Sequence, residues 1–177
     1  MGKIKKPREA LLFCGLLYAS EQLFEDALQS LSDLFGPLAK EARGFPFKGT
    51  DYYQRELGEE IYKGFLFFEQ LIPMDVMASV KMKTNELEER LSLPRTLRSV
   101  NLDPGYLDLS KVMLATTKDR AHRLYLRDGI FGEVEYTYCK NSYTPCPWTY
   151  PDYRQSEYIS LFNEMRFYYQ ERLRQTI

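Results

Sequence analysis

Residues 9–35 read EALLFCGLLYASEQLFEDALQSLSDLF, and this stretch decides the fold. Its first part, Glu9–Tyr18, is a near-continuous apolar run of strand length, the pattern of a central strand buried on both faces. From Glu21 the period changes. Leu23, Phe24, Ala27, Leu28, Leu31, Leu34 and Phe35 recur three or four apart and form one broad stripe of an amphipathic helix. Ser20 is a suitable N-cap, Glu21 and Glu25 complement the positive end of the helix dipole, and Gly36-Pro37 stops the element. Strand followed at once by helix sets an α/β frame for the rest of the chain.

The same region imitates a secretory signal. Lys3, Lys5, Lys6 and Arg8 precede the apolar run Ala10–Ala19. The residue three before a cleavage after Ala19 is Leu17, where a small side chain is required, so a core strand of a cytoplasmic protein is the preferred reading. The run is also too short to cross a bilayer as a helix. Three cysteines, Cys14, Cys139 and Cys146, offer neither a CxxC pair nor a zinc framework, and a reduced compartment fits them.

Downstream, residues 38–60 are punctuated by Gly44, Pro46 and Gly49 around Phe45 and Phe47, which favours an extended piece. Tyr62–Leu71, YKGFLFFEQL, reads as an aromatic strand with Gly64 at a bulge or close approach. Pro73 opens a second helix to about Leu91, with Met74, Met77, Val80, Thr84, Leu87 and Leu91 on one face. Strands follow at Ser110–Thr116, His122–Arg127 and Ile130–Tyr138, the last two joined by Asp128-Gly129, a tight hairpin signal. A two-residue turn there predicts cross-strand partners Leu124–Glu133 and His122–Glu135. Asp152 with Gln155 forms a capping-box pattern ahead of a last helix reaching about Leu173.

This order predicts an α/β chain of the α+β variant: a single mixed sheet flanked by helices, a ferredoxin-like derivative in preference to a Rossmann-like one. At 177 residues it predicts one compact domain, 1–177, with a sizeable core. Charge is nearly balanced, 24 Lys and Arg against 25 Asp and Glu, so no nucleic-acid footprint emerges from composition. Walker A, GxGxxG, HExxH, EF-hand and GxSxG motifs are absent, and the single His excludes multi-histidine metal sites. No cofactor is specified. Magnesium on carboxylates is compatible with the composition, but no motif calls for it.

Four separated runs resemble one family: Lys83–Glu88, Asn101–Leu107, Leu114–Asp119 and Pro147–Tyr153. In order along nearly the whole chain, they are similar to the domain-of-unknown-function family numbered 4416, which implies a short prokaryotic protein and implies no particular reaction. The family's NxDPGYL segment corresponds to Asn101–Leu107, placing its Asn and Asp at Asn101 and Asp103. Its lysine-bearing segment corresponds to Lys118 and continues to His122-Arg123.

By residue chemistry, Asp103-Pro104-Gly105-Tyr106 reads as a turn, with Pro104 fixing φ and Gly105 tolerating positive φ. Asn101, Asp103 and Asp51 are candidate ligand contacts, and Lys83, Lys118 and Arg123 are candidate anion contacts. Asp103, His122 and Glu135 are the acid–base candidates. Together they predict a site that binds or transforms a small anionic or phosphorylated metabolite. An alternative is a non-catalytic structural or interaction protein, a homo-oligomer included, using Phe167 and Tyr168 of the last helix. RNA binding through Arg95, Arg98, Arg120 and Arg123 with stacking aromatics is a weaker third.

Overall fold

The computed structural model describes residues 2–47, 57, 60–92 and 100–175. The strands are β1 (Ala10–Tyr18), β2 (Leu38–Pro46), β3 (Tyr62–Ile72), β4 (Val100–Leu107), β5 (Lys111–Thr116), β6 (Leu124–Arg127), β7 (Ile130–Cys139) and β8 (Ser142–Pro145). The helices are α1 (Glu21–Phe35), α2 (Met77–Leu91) and α3 (Ser156–Gln175), with 3-10 turns at Met74–Val76 and Asp152–Arg154.

The strands form one sheet in the order β2-β3-β1-β4-β5-β7-β6, with β8 paired to β7. The first four strands, with α1 and α2 as crossovers, have the split β-α-β order of a ferredoxin-like core. The class is α+β. Each pairing is antiparallel rather than mixed, because each strand meets a neighbour reached by a hairpin or by a crossover that skips one strand position.

β1 is buried along its whole length. Its alternate side chains serve two cores. Leu12, Cys14, Leu16 and Tyr18 pack with Phe24, Ala27 and Leu31 of α1 and Met77, Ala78, Val80 and Leu87 of α2. Leu11 and Phe13 face the other way, with Phe65, Phe67, Leu114 and Tyr136, against Tyr158, Phe162, Met165 and Tyr169 of α3. The apolar run at the N-terminus is thus a two-sided core strand. Among the described residues, no helix is long and apolar enough to cross a membrane. The three cysteines are free, with Cys14 and Cys146 buried and Cys139 exposed.

Three local expectations are corrected. Asp103–Tyr106 is not a turn but lies inside β4, with Asp103 opposite Gly15 and Pro104 opposite Cys14. The registered pairing of β4 with β5 covers Gly105–Leu107 only, so one side of the strand is unladdered where Pro104 lacks its donor. Gly105 is needed for space: a Cβ there would lie 2.2 Å from the Met113 carbonyl oxygen and 2.6 Å from Phe13 Cζ. The hairpin turn is where the sequence puts it, with φ of 53° at Asp128 and 75° at Gly129. A bulge between Tyr125 and Arg127 then shifts the register by one, so Leu124 faces Gly132 rather than Glu133. Lastly, Asp152 belongs to a 3-10 turn and its carboxylate meets Lys63, while α3 begins only at Ser156.

Candidate functional site

Strand register gathers the candidate residues on the face that α3 covers. Leu17 of β1 lies between Lys63 of β3 and Asn101 of β4, and Gly15 lies between Phe65 and Asp103. One step further along the same face, Gly105 pairs with Leu114 and Leu114 with Glu133. Directly paired residues point to the same side of a sheet. Lys63, Asn101, Asp103 and Glu133 therefore emerge together, beyond the N-terminal end of α3.

The segment 146–155 closes over them and is tied to β7 at several points. Cys146 N donates to the Glu135 carbonyl at 3.2 Å, Thr149 Oγ1 donates to the same oxygen, and Trp148 Nε1 donates to the Val134 carbonyl at 2.8 Å. Arg154 holds the segment in shape by donating to the carbonyls of Cys146, Pro147 and Thr149 at 2.7, 3.0 and 3.2 Å.

Glu133 is the hub. Its Oε2 lies 2.9 Å from His122 Nε2 and its Oε1 2.9 Å from Arg123 Nη2. Arg123 also donates to the Tyr150 hydroxyl at 2.7 Å and to the Lys118 carbonyl at 2.8 Å. The His122 ring stacks on Trp148 with centroids 5.5 Å apart. The expected His122–Glu135 pair is thus replaced by His122–Glu133. The predicted strand starts at His122, but β6 begins only at Leu124, so His122 lies in the turn before it and reaches Glu133 from outside the ladder.

Glu135 is next to this hub and fully buried. Its Oε2 accepts from Tyr150 N at 3.1 Å, and Oε1 has no hydrogen-bond partner. Burial first, and then the charge of Glu133, push its pKa up to about 8. So raised, the carboxyl favours its protonated form near neutral pH, in which it can donate. The Tyr153 hydroxyl is also buried without a partner, and burial holds its pKa well above the ordinary phenol range.

Asn101 Nδ2 donates to Asp103 Oδ2 at 2.6 Å, and Lys81 Nζ lies 3.5 Å from Asp103 Oδ1. Lys81 comes from α2, on the opposite face, and also donates to the Leu102 carbonyl at 2.7 Å. Asp103 keeps 31% of its side chain exposed, which makes it the solvent-facing member of the group.

Of the residues singled out from sequence, Asn101, Asp103, His122, Arg123 and Glu135 come together. Lys118 contributes its carbonyl, and the residue itself is exposed. Lys83 is exposed on α2, whose packing face lies across the sheet, so it does not join the group. Asp51, Arg95 and Arg98 lie outside the described residues. Lys63, Lys81, Glu133, Tyr150 and Tyr153 were not anticipated. The signals available for them were a lone Lys within an aromatic strand and the WTYPDY run before α3. No group of three or more metal-ligating side chains occurs among the described residues.

The fold and site define an antiparallel α+β protein with a buried polar cluster on one face of its sheet. The chain matches the family model described as a domain of unknown function, DUF4416, over residues 8–169, and it belongs to that family. No curated protein and no solved structure matches it.

Proposed function

We propose that the cluster beneath segment 146–155 binds a small anionic or phosphorylated metabolite and exchanges a proton with it through Glu135. The observation that carries this reading is the buried carboxyl with one unpartnered oxygen. Leaving such a group unsatisfied costs about 1–3 kcal/mol, and a purely structural role offers nothing in return. A carboxyl neutral near pH 7 is poised for general acid–base work. Asp103 and Asn101 orient the ligand at the solvent side, while Arg123 and His122 hold the Glu133 side chain beside the acid. Lys63 of β3 and Arg123, just before β6, supply positive charge on this face, and Lys81 of α2 reaches Asp103 from the other.

The test pairs native mass spectrometry of the purified protein with a thermal-shift screen of carboxylated and phosphorylated metabolites. A ligand that raises the melting temperature of the wild type should lose most of that effect in Glu135→Gln and in Asp103→Asn. Equal shifts in all three proteins, or no retained or stabilising metabolite at all, would reject the reading.

A second reading, a non-catalytic interaction protein that forms homo-oligomers, draws support from β6. This strand ends the sheet order, and Leu124 and Tyr125 on it are 76% and 62% exposed. An open edge carrying apolar side chains can pair with a second copy. Sedimentation should then show a concentration-dependent dimer that Leu124→Lys with Tyr125→Lys abolishes. A wild-type monomer at all concentrations would set this reading aside.

A further inference from the structure

We infer that Lys63 and Tyr153, converging over Gly15 at the floor of the cluster, form an oxyanion subsite that takes the carboxylate or phosphate group of the ligand. The inference rests on the ligand-site reading above and names the part of the site that meets the anion.

Lys63 is 3% exposed, although it carries an ammonium with three donors. Among the described residues its one polar contact is Asp152 Oδ2 at 3.3 Å, longer than a strong charge-assisted hydrogen bond of about 2.7–2.9 Å. Its other neighbours are aromatic faces, those of Tyr153, Phe65 and Phe47, with centroids 4.8, 5.6 and 6.0 Å from Nζ. Cation–π attraction offsets part of the desolvation of the ammonium, but it satisfies none of its N–H donors in the ordinary sense.

The second donor is the Tyr153 hydroxyl, buried and without a partner. It lies 3.0 Å from where a Cβ on residue 15 would be, and Lys63 Cε lies 3.5 Å from the same point. Two under-satisfied donors, one charged and one neutral, thus meet above the one position of β1 that has no side chain. A carboxylate or phosphate offers several lone pairs to one small volume, which is what such a pair of donors lacks. Asp152 is the present counterion, and its place in the 3-10 turn before α3 puts it beside the incoming group. Asp152, with Asp103 further off, is the negative charge that an incoming anion must outcompete for Lys63.

The competing account is an aromatic plug, in which Lys63 and Tyr153 only fill space. Two variants separate the accounts. Tyr153→Phe keeps the ring and removes an unpartnered buried hydroxyl, so a plug gains stability and binding is unaffected. A subsite instead loses affinity, by roughly two- to tenfold, while its melting temperature stays level or rises. Lys63→Met should weaken binding by roughly ten- to a hundredfold. The probes are inorganic phosphate and acetate, titrated separately by calorimetry into the full chain, and the stronger of the two identifies the oxyanion. Failure of the wild type to bind either ion, or wild-type affinity in Tyr153→Phe and Lys63→Met, overturns the inference. Should Lys63→Met not fold, Tyr153→Phe decides alone. Phosphate binding that depends on Lys63, without any metabolite that depends on Glu135, would keep the subsite and remove the proton-exchange reading. The reverse pattern would do the opposite.

Discussion

A carboxyl that holds its proton at neutral pH couples folding to pH, and Glu135 is placed to do so. Unfolded, it titrates near its ordinary value of 4.5, and folded, at about 8. Between these values the folded chain keeps a proton that the unfolded chain has released. Stability is therefore fully present below about pH 4.5 and falls as pH rises through the window, levelling above the folded pKa. The slope from this one group is at most about 1.4 kcal/mol per pH unit. Glu135→Gln removes the linked proton, so the decline between about pH 5 and 8 should flatten in urea titrations and the variant should be the more stable protein on the alkaline side. Parallel profiles in the two proteins would show that Glu135 is ionised in the folded state. At this scale the sequence named Asn101, Asp103, His122 and Arg123 from the resemblance and from an expected turn, and Glu135 only as the surface partner of His122, whereas Asp103 lies in a strand and Glu135 is buried apart from that histidine. Lys63 was hidden for a physical reason. In YKGFLFFEQL it is one charge among aromatics, and only the register that puts it beside Leu17 and under Tyr153 reveals that it is buried.

Elements read well from period and poorly where tertiary contact overrides local preference. β1 and α1 form over the predicted residues because apolar period and capping agree, with Ser20 Oγ accepting from Leu23 N at 3.3 Å. Pro104-Gly105 is a turn by local chemistry alone, yet a strand forms because β4 is buried against β1 and β5 packs closely over Gly105. That explanation makes a contrast between two glycines. Gly105→Ala would drive a Cβ into the Met113 carbonyl oxygen and the Phe13 ring and should cost about 3 kcal/mol or more. Gly132→Ala meets only the ends of flexible side chains, Met113 Sδ at 3.3 Å and Leu126 methyls at 3.5 Å. It should fall within about 1 kcal/mol of the wild type in chemical denaturation. Comparable losses in both variants would mean that Gly105 is not serving close approach. The β6–β7 turn was equally legible, but the bulge that shifts its register and the late start of β6 at Leu124 were not, and His122, in the turn before the strand, meets Glu133 instead of Glu135.

Across the whole molecule, the ferredoxin-like class followed from element order, but its fourth strand, β4, was read as a turn, and the extension of the sheet by β5, β7, β6 and β8 required pairings that periodicity does not encode. The two faces of the sheet are joined through β1, which gives alternate side chains to each core. Phe162 of α3 ties the second core to the site. Its ring lies 4.9 Å from Phe13, 5.4 Å from Phe67 and Tyr136, 5.5 Å from Phe65 and 6.2 Å from Tyr153. Phe167, five residues on, is 63% exposed. Phe162→Ala should therefore cost about 3–5 kcal/mol, and Phe167→Ala should stay within about 0.5 kcal/mol. Because β1 is common to both cores, the loss in Phe162→Ala should appear as one earlier transition in circular dichroism and in tyrosine fluorescence alike, as a single cooperative unit requires. Two separated transitions would mean that the α1–α2 side stays folded when the α3 side has melted. The cluster would then sit on an independently opening layer, and ligand binding would be lost before the sheet unfolds.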